Sequence, residues 1–600
     1  MIDRIPSGFD WFVVPFLLGM GFVLGYCILG VMRIFYQLSM GERKKLILSL
    51  MNPKMVYKDI RDILLDSLLH VRLWKRNRML GYMHSSIAFG WFMLIVLGHI
   101  EVLLFFPQRL HYLYYPIFFN YFVAEAESSL IHSVMFFLMD FFLLIVLSGI
   151  ALAMYKRVHS LFFGMRRTAQ PSLLNRIGLY ALWAIFPLRL LAESFIAHLS
   201  GGSFLILPAN WIIRFLFGDN PNALAFWWVY SIVLAIFLFV LPFSRYMHIP
   251  AEMFLIPLRN AGIKLSNARR GFAKVQVLSC PNCGVCIDAC PMSADKANIK
   301  DATVYLTRQL RCGNEERIKE ISDKCLLCGK CHTVCQVGVD GAEMRVLVRA
   351  ERKYDIAPDY SSVNSDELIR PEGSVLYYSG CMSKLVPTIG KSMESIFRSA
   401  GVDYNWMDRE YGMCCGRPMY MAGRIKEAEQ IVRKNERAIL NHGAKTLVVS
   451  CAICYRMFKE KYNLPGIRVV HYVDYIEELL TSGKLKLDRS DICYVYHDPC
   501  ELGRGCGIYE APRRLLGKIA GIAEAEKNRA ESICCGGSLG SISLNFAKRE
   551  KITRSSLKNL YMSNADAIAT ACPLCQTTFA RYADRPVWDI AEIVESLIKK

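Results

Sequence analysis

Thr446-Leu-Val-Val-Ser-Cys451-Ala-Ile-Cys454 and Ala567-Ile-Ala-Thr-Ala-Cys572-Pro-Leu-Cys575 decide how the C-terminal half of this chain folds. Each is a short apolar run that meets a C-x2-C and then a helical stretch. A run of this length, closed by a turn, reads as a buried strand. The pattern extends outward from both. Cys381, Cys414-Cys415-Gly416 and Cys451-x2-Cys454 in one copy answer to Cys500, Cys534-Cys535-Gly536 and Cys572-x2-Cys575 in the next, at offsets of 119, 120 and 121 residues. Such regularity marks an internal duplication. A further apolar run (Val375–Tyr378; Cys493–Tyr496) precedes the first cysteine of each copy. Each copy is therefore expected to be an α/β unit with its cysteines at strand-to-helix turns. Helix N-termini there favour thiolates. Adjacent cysteines diverge on any regular strand or helix, but a turn eased by Gly416 or Gly536 lets both grip one cluster. Five thiols exceed the four of a closed zinc site, which favours iron–sulfur.

Upstream lies Cys280-Pro-Asn-Cys283-Gly-Val-Cys286-Ile-Asp-Ala-Cys290-Pro291, the C-x2-C-x2-C-x3-C-P run of a [4Fe–4S] site. In such runs three thiolates wrap one cube and the fourth reaches another. Cys325, Cys328, Cys331 and Cys335 supply the second run. One cluster is expected on Cys280, Cys283, Cys286 and Cys335, the other on Cys325, Cys328, Cys331 and Cys290. The interval between the runs contains the helical stretch Glu315–Asp323, so an expanded, helical ferredoxin type is expected. Cys312 reads as a spare buried thiol, and Cys27, Cys493 and Cys506 also remain unassigned.

The N-terminal half is written for lipid. Five apolar runs suffice to span a bilayer: Trp11–Phe35, Gly81–Phe106, Leu130–Tyr155, Ile177–Leu199 and Leu224–Tyr246. The first is too long for a cleaved signal peptide and no small-x-small pattern follows it. Loop 37–80 carries ten Lys and Arg and loop 156–176 five, whereas Arg109 and Arg214 stand alone in the other two. This predicts an outside N-terminus and a cytoplasmic C-terminal half, in the inner membrane of the cell. A net charge of +19 with 53% hydrophobic residues suits membrane flanks, and no nucleic-acid partner is expected. The 22 cysteines, only Cys27 before residue 280, do not describe a secreted disulfide scaffold.

Polar groups inside such spans need a reason. His84 and His248 lie at one depth near the cytoplasmic side. They read either as axial ligands of a haem held across the bundle or as solvated interfacial histidines. His99, Glu101, His132, Asp140, Arg189, Glu193 and His198 fall in the outer half. They line a quinone or proton site, or they glue helices together. Arg189 and Glu193, four apart, share a helix face. Phe204–Phe217 reads as an interfacial segment.

Residues 280–600 resemble the D subunit of membrane-bound heterodisulfide reductases, with its two CCG domains. In that family a complete copy holds a non-cubane [4Fe–4S] cluster on all five cysteines. The resemblance implies one such cluster on Cys381, Cys414, Cys415, Cys451 and Cys454 and another on Cys500, Cys534, Cys535, Cys572 and Cys575, with these as the catalytic centres. Residues 1–265 resemble the cytochrome b subunit of respiratory nitrate reductase and its heterodisulfide reductase E relatives, best at Leu241-Pro-Phe-Ser-Arg-Tyr-Met-His248. This resemblance implies haem b on His84 and His248. The family's second pair would fall on Leu94 and Tyr230, so a second haem would need His99 paired with His132 or His198.

The expected architecture is multidomain. An all-α five-helix transmembrane bundle (1–265) precedes a helical two-cluster ferredoxin domain (270–350) and a linker (351–372), then two duplicated α/β CCG domains (373–490 and 491–600). The fusion is similar to a membrane-bound family that links electron-transfer flavoprotein to menaquinone. The expected function is electron transfer between a cytoplasmic redox partner, electron-transfer flavoprotein first, and quinone. The alternatives are a heterodisulfide-type disulfide reductase and an electron-conducting anchor subunit of a larger respiratory complex. No dinucleotide G-x-G-x-x-G is evident, so neither NAD nor flavin is expected on this chain.

Overall fold

The computed structural model describes residues 9–105, 112–122, 130–159, 171–218, 223–294, 296–352, 373–409 and 413–599. It divides into two compact units, Met1–Val285 and Cys286–Lys600. The expected linker lies outside the described residues from 353 onward, as does Phe106 at the end of the second expected span.

In the first unit five helices are long and apolar enough to cross a membrane: Trp11–Gln37, Arg78–Leu104, Leu130–Val158, Leu173–Ser200 and Ala223–Phe243. They form helices because a chain in hydrocarbon must satisfy its backbone polar groups internally. The second and third approach closely at small residues. A Cβ on Gly90 would lie 2.6 Å from Val146, and one on Gly149 would lie 2.1 Å from the Ser86 hydroxyl. The expected interfacial segment is a helix, Ile206–Phe217. Its start is braced by buried Asp140, whose carboxylate accepts from the backbone N–H groups of Ser203, Leu205 and Ile206 at 3.1, 2.8 and 3.1 Å. The helix Phe272–Ser279, expected in the ferredoxin domain, packs here on the helix His248–Asn260.

In the second unit the helix expected at Glu315–Asp323 has those bounds. It packs with the helices Thr303–Cys312 and Gly341–Ala350. Cys312 is exposed rather than buried. It ends its helix just before Gly313, which turns left-handed (φ 72°), so the side chain faces outward where the chain reverses.

The two cysteine-rich copies have one topology. In the first, β1 (Val375–Tyr378), β2 (Tyr404–Trp406), β3 (Thr446–Val449) and β4 (Arg468–His471) form a parallel sheet in the order β2-β1-β3-β4. In the second, β5 (Cys493–His497), β6 (Gly521–Ala523), β7 (Ala567–Thr570) and β8 (Val587–Asp589) repeat it as β6-β5-β7-β8. The central strands are continuous apolar runs because helices cover both faces of a parallel sheet. All four residues of β1 and all four of β7 are buried.

The copies pack with exchanged elements. The turn Cys381–Leu385 of the first lies on the C-x2-C helix Pro573–Ala580 of the second. In return the short helix Gly503–Cys506 of the second lies on the C-x2-C helix Ala452–Lys461 of the first. Tyr472 closes the seam by donating to buried Asp589 at 2.6 Å.

Candidate metal centres

The cysteines gather at the C-terminal ends of the parallel strands, where open α/β sheets bind their ligands. Cys381 follows β1 by three residues and Cys451 follows β3 by two, as Cys500 and Cys572 do after β5 and β7. Cys451 and Cys572 are the N-caps of their helices.

In the first copy all five thiols form one chain of hydrogen bonds, Cys381–Cys414–Cys415–Cys454–Cys451. Hydrogen bonds from Cys381 and Cys415 hold the Cys414 thiol well below its ordinary value. The Gly416 N–H also donates to it at 3.4 Å. Gly416 is left-handed (φ 84°), the easing of the turn that the motif required. Gly380 fits even more tightly. At φ 87°, its Cβ would lie 2.9 Å from Cys454 Sγ and 3.0 Å from Cys451 Cβ. Gly380→Ala is expected to cost about 1–3 kcal/mol for a backbone conformation that is essentially glycine's alone and about 1–3 kcal/mol for overpacking. Iron and labile sulfide per chain should fall by the first site's share while the second stays loaded. Full loading with an unchanged melting temperature would refute the crowding.

The second copy repeats the chain as Cys500–Cys534–Cys535–Cys575–Cys572, with Cys575 Sγ 3.4 Å from Cys535 Sγ. Hydrogen bonds from Cys534 and Cys575 hold Cys535 well below the ordinary thiol value. A small pocket lined by Cys500, Cys535, Cys572 and Cys575 also touches Met421 and Ile453 of the first copy. The sites face one another across the seam, and Cys451 lies within electrostatic range of Cys572. Buried Glu501, beside Cys500, takes Arg417 at 3.1 Å and Arg456 at 3.3 Å from the first copy. No sequence motif announced this bridge. Its parts follow Cys415-Gly416, Cys454 and Cys500 in ways that only the packing brings together.

In the ferredoxin segment Cys290 interacts with Cys325, Cys328 and Cys331, the set expected for one cube. Cys280 and Cys283 interact within the first unit. Cys286 lies on the helix Val285–Ala289, and Cys335 accepts from the Val339 N–H at 3.3 Å. Buried Arg345 lies among Cys286, Cys290, Cys325 and Cys331, thiols assigned to two different cubes. The ferredoxin segment meets the second copy directly. Cys328 and Cys534 share a hydrogen bond that brings Cys328 down to about 5. Arg504 reinforces this junction by donating to the Cys328 carbonyl at 2.7 Å. Thiol-only donor sets, buried and mutually hydrogen-bonded, suit iron–sulfur clusters.

In the first unit His84 lies within electrostatic range of His248. His248 Nδ1 donates to the Arg245 carbonyl at 2.6 Å, which makes Nε2 the lone-pair nitrogen, the tautomer a metal ligand needs. Sequence reasoning missed His70. Its ring stacks on His84 with centroids 5.4 Å apart, and its left-handed backbone (φ 50°) turns the chain there. His99 and His198 are exposed, and His99 Nδ1 bonds the Ile95 carbonyl of its own helix. Neither therefore offers an imidazole to the bundle interior, while His132 is half-buried. The polar residues that do face inward are Arg189 and Glu193, paired at 2.8 Å, with Glu101, Asp140 and Tyr230 buried near them.

Comparison with known proteins agrees with this construction. Residues 375–459 and 494–580 match the cysteine-rich CCG domain family. Residues 276–339 match the 4Fe-4S dicluster domain family. The D subunit of dihydromethanophenazine:CoB–CoM heterodisulfide reductase from Methanosarcina acetivorans is 25% identical over 358 residues, 50% of this chain and 87% of that protein. The B subunit of fumarate reductase (CoM/CoB) from Methanothermobacter marburgensis is 25% identical over 363 residues, 53% of this chain and 72% of that protein. The EtfAB:quinone oxidoreductase of Syntrophomonas wolfei is 28% identical over 244 residues, 37% of this chain and 34% of that protein. The chain is thus an iron–sulfur oxidoreductase with five membrane-length helices. It is related to heterodisulfide reductase D and to EtfAB:quinone oxidoreductase.

Proposed function

We propose that this protein moves electrons between a cytoplasmic redox protein, electron-transfer flavoprotein first, and the membrane quinone pool, menaquinone in particular. The observation that carries the reading is the Cys328–Cys534 contact, which joins the ferredoxin site to the duplicated sites on a chain that also bears five membrane-length helices. The relative named EtfAB:quinone oxidoreductase supports the choice of partners. The N-terminus is outside and the cysteine-rich half cytoplasmic.

The clusters and one haem b, when bound, supply one-electron carriers. His84 and His248 are the residues that would hold the haem, and the His70 ring packs against the first of them. The flavin gives up two electrons and two protons, and quinone takes two of each to become quinol. Glu193 and Glu101 take part as proton-bearing groups beside the quinone, and Arg189 holds Glu193 in place. Asp140 belongs to the same region as its brace, because its three backbone bonds fix the roof helix Ile206–Phe217.

In membrane vesicles, reduced electron-transfer flavoprotein is expected to reduce a b-type optical band that added menaquinone then reoxidises. No reduction of that band by any flavoprotein would overturn the reading. The pocket among the thiols of the second copy supports a second reading, a disulfide reductase. Steady turnover of small thiol disulfides by viologen-reduced protein would favour it. Activity only inside a larger respiratory complex would make the chain an anchor subunit.

A further inference from the structure

His497 ends β5, three residues before Cys500. It is 2% exposed, its Nε2 has no hydrogen-bond partner, and its ring edge rests on Phe579 with centroids 4.7 Å apart. A ring nitrogen and the sulfurs of Cys535 and Cys575 all lie within 4.8 Å of one another. A buried imidazole nitrogen without a partner is costly, and a nitrogen of this ring lies beside two sulfurs of a five-thiol site. Among the described residues, no histidine is grouped with the thiols of the first copy in this way. The residue at the matching position, 119 earlier, is Tyr378, whose hydroxyl donates away to the Met413 carbonyl at 2.5 Å.

The geometry points to His497 as a sixth protein group of the second site, a positioning residue that donates its ring N–H to the cluster-bound sulfurs of Cys535 and Cys575. Hydrogen bonds to cluster sulfur spread the charge of the reduced state and raise the reduction potential. The two duplicated clusters are therefore unequal by construction. The second holds an added electron more strongly than the first, and it is also the one in contact with the ferredoxin site through Cys328 and Cys534. An electron that reaches the second cluster rests there before the ferredoxin site takes it on. This rests on the ten cysteines being cluster ligands, and iron and labile-sulfide content tests that separately.

The test is an EPR-monitored redox titration of the full-length membrane protein. His497→Phe keeps the ring edge on Phe579 and removes the N–H. The second cluster's midpoint is expected to fall toward that of the first, with iron content unchanged. His497→Gln, which restores an N–H, is expected to recover much of the difference. Unchanged midpoints in a fully loaded His497→Phe protein would overturn the assignment. Should His497→Phe fail to load, wild-type protein carrying 15N-histidine decides instead. Pulsed EPR is expected to find one weakly coupled imidazole nitrogen on one reduced cluster. No coupling, or coupling as strong as that of an iron-bound imidazole, would refute the hydrogen-bonded role.

Discussion

Arg189→Leu is expected to destabilise the membrane bundle by about 3–5 kcal/mol, the cost of leaving a buried charge without its partner. Arg189 and Glu193 are 5% and 3% exposed and their charged atoms meet at 2.8 Å. Glu101 is buried as well, and one of its carboxylate oxygens has no hydrogen-bond partner. Without the guanidinium, the buried carboxyl groups of Glu101, Glu193 and Asp140 lose the cation among them. The measurement is the folded fraction after detergent extraction, followed by denaturant titration. Arg189→Leu/Glu193→Leu should regain most of the loss, because an apolar pair of similar volume can replace a buried ion pair. Wild-type stability in the single variant would mean that water reaches the pair. Glu193→Gln keeps the packing, so a selective fall in quinol turnover there would separate proton handling from stability.

Cys534→Ala is expected to isolate the first five-thiol site. With electrons supplied from the quinol side, the ferredoxin cubes should still fill, while reduction of the cluster on Cys381, Cys414, Cys415, Cys451 and Cys454 should slow by about a hundredfold or more, since changes outside the ligand set alone reach that size. Cys414→Ala should spare the second site. The asymmetry follows from contacts that touch only the second copy: Cys328 with Cys534, and Arg504 with the Cys328 carbonyl. Rapid-freeze EPR reads the order of filling. Equal losses in the two variants would mean that the first site has its own route to the ferredoxin cubes.

The duplicated half was open to reading from its residues because thiol spacing is itself geometry. In both copies the C-x2-C after a short apolar run opens a helix at a strand end, and the helices and sheets follow. The offsets also fixed which thiols correspond. What was not legible depends on distance along the chain. Asp140 reads as a proton carrier until its carboxylate is seen holding N–H groups 63 to 66 residues away. His70 has no spacing relation to His84 that a helix would advertise, because a left-handed turn brings the rings together. His497 looks like any core residue closing a strand until Cys535 and Cys575 arrive beside it from later segments. Cys312 reads as a spare interior thiol because no motif claims it, but it occupies the last turn of its helix, where the side chain meets water.

The exchanged turns at the seam carry a genealogical consequence. Each copy lays a turn on the other's C-x2-C helix, so a single-copy polypeptide of this design would complete the same packing only as a pair of identical chains. Once the two genes were joined, symmetry was no longer compulsory. Among the many positions at which the copies differ, several lie beside the thiols: Gly380 against Pro499, Tyr378 against His497, Met382 against Glu501. Twins have become specialists, and each is held to its trade by a neighbour it can no longer leave.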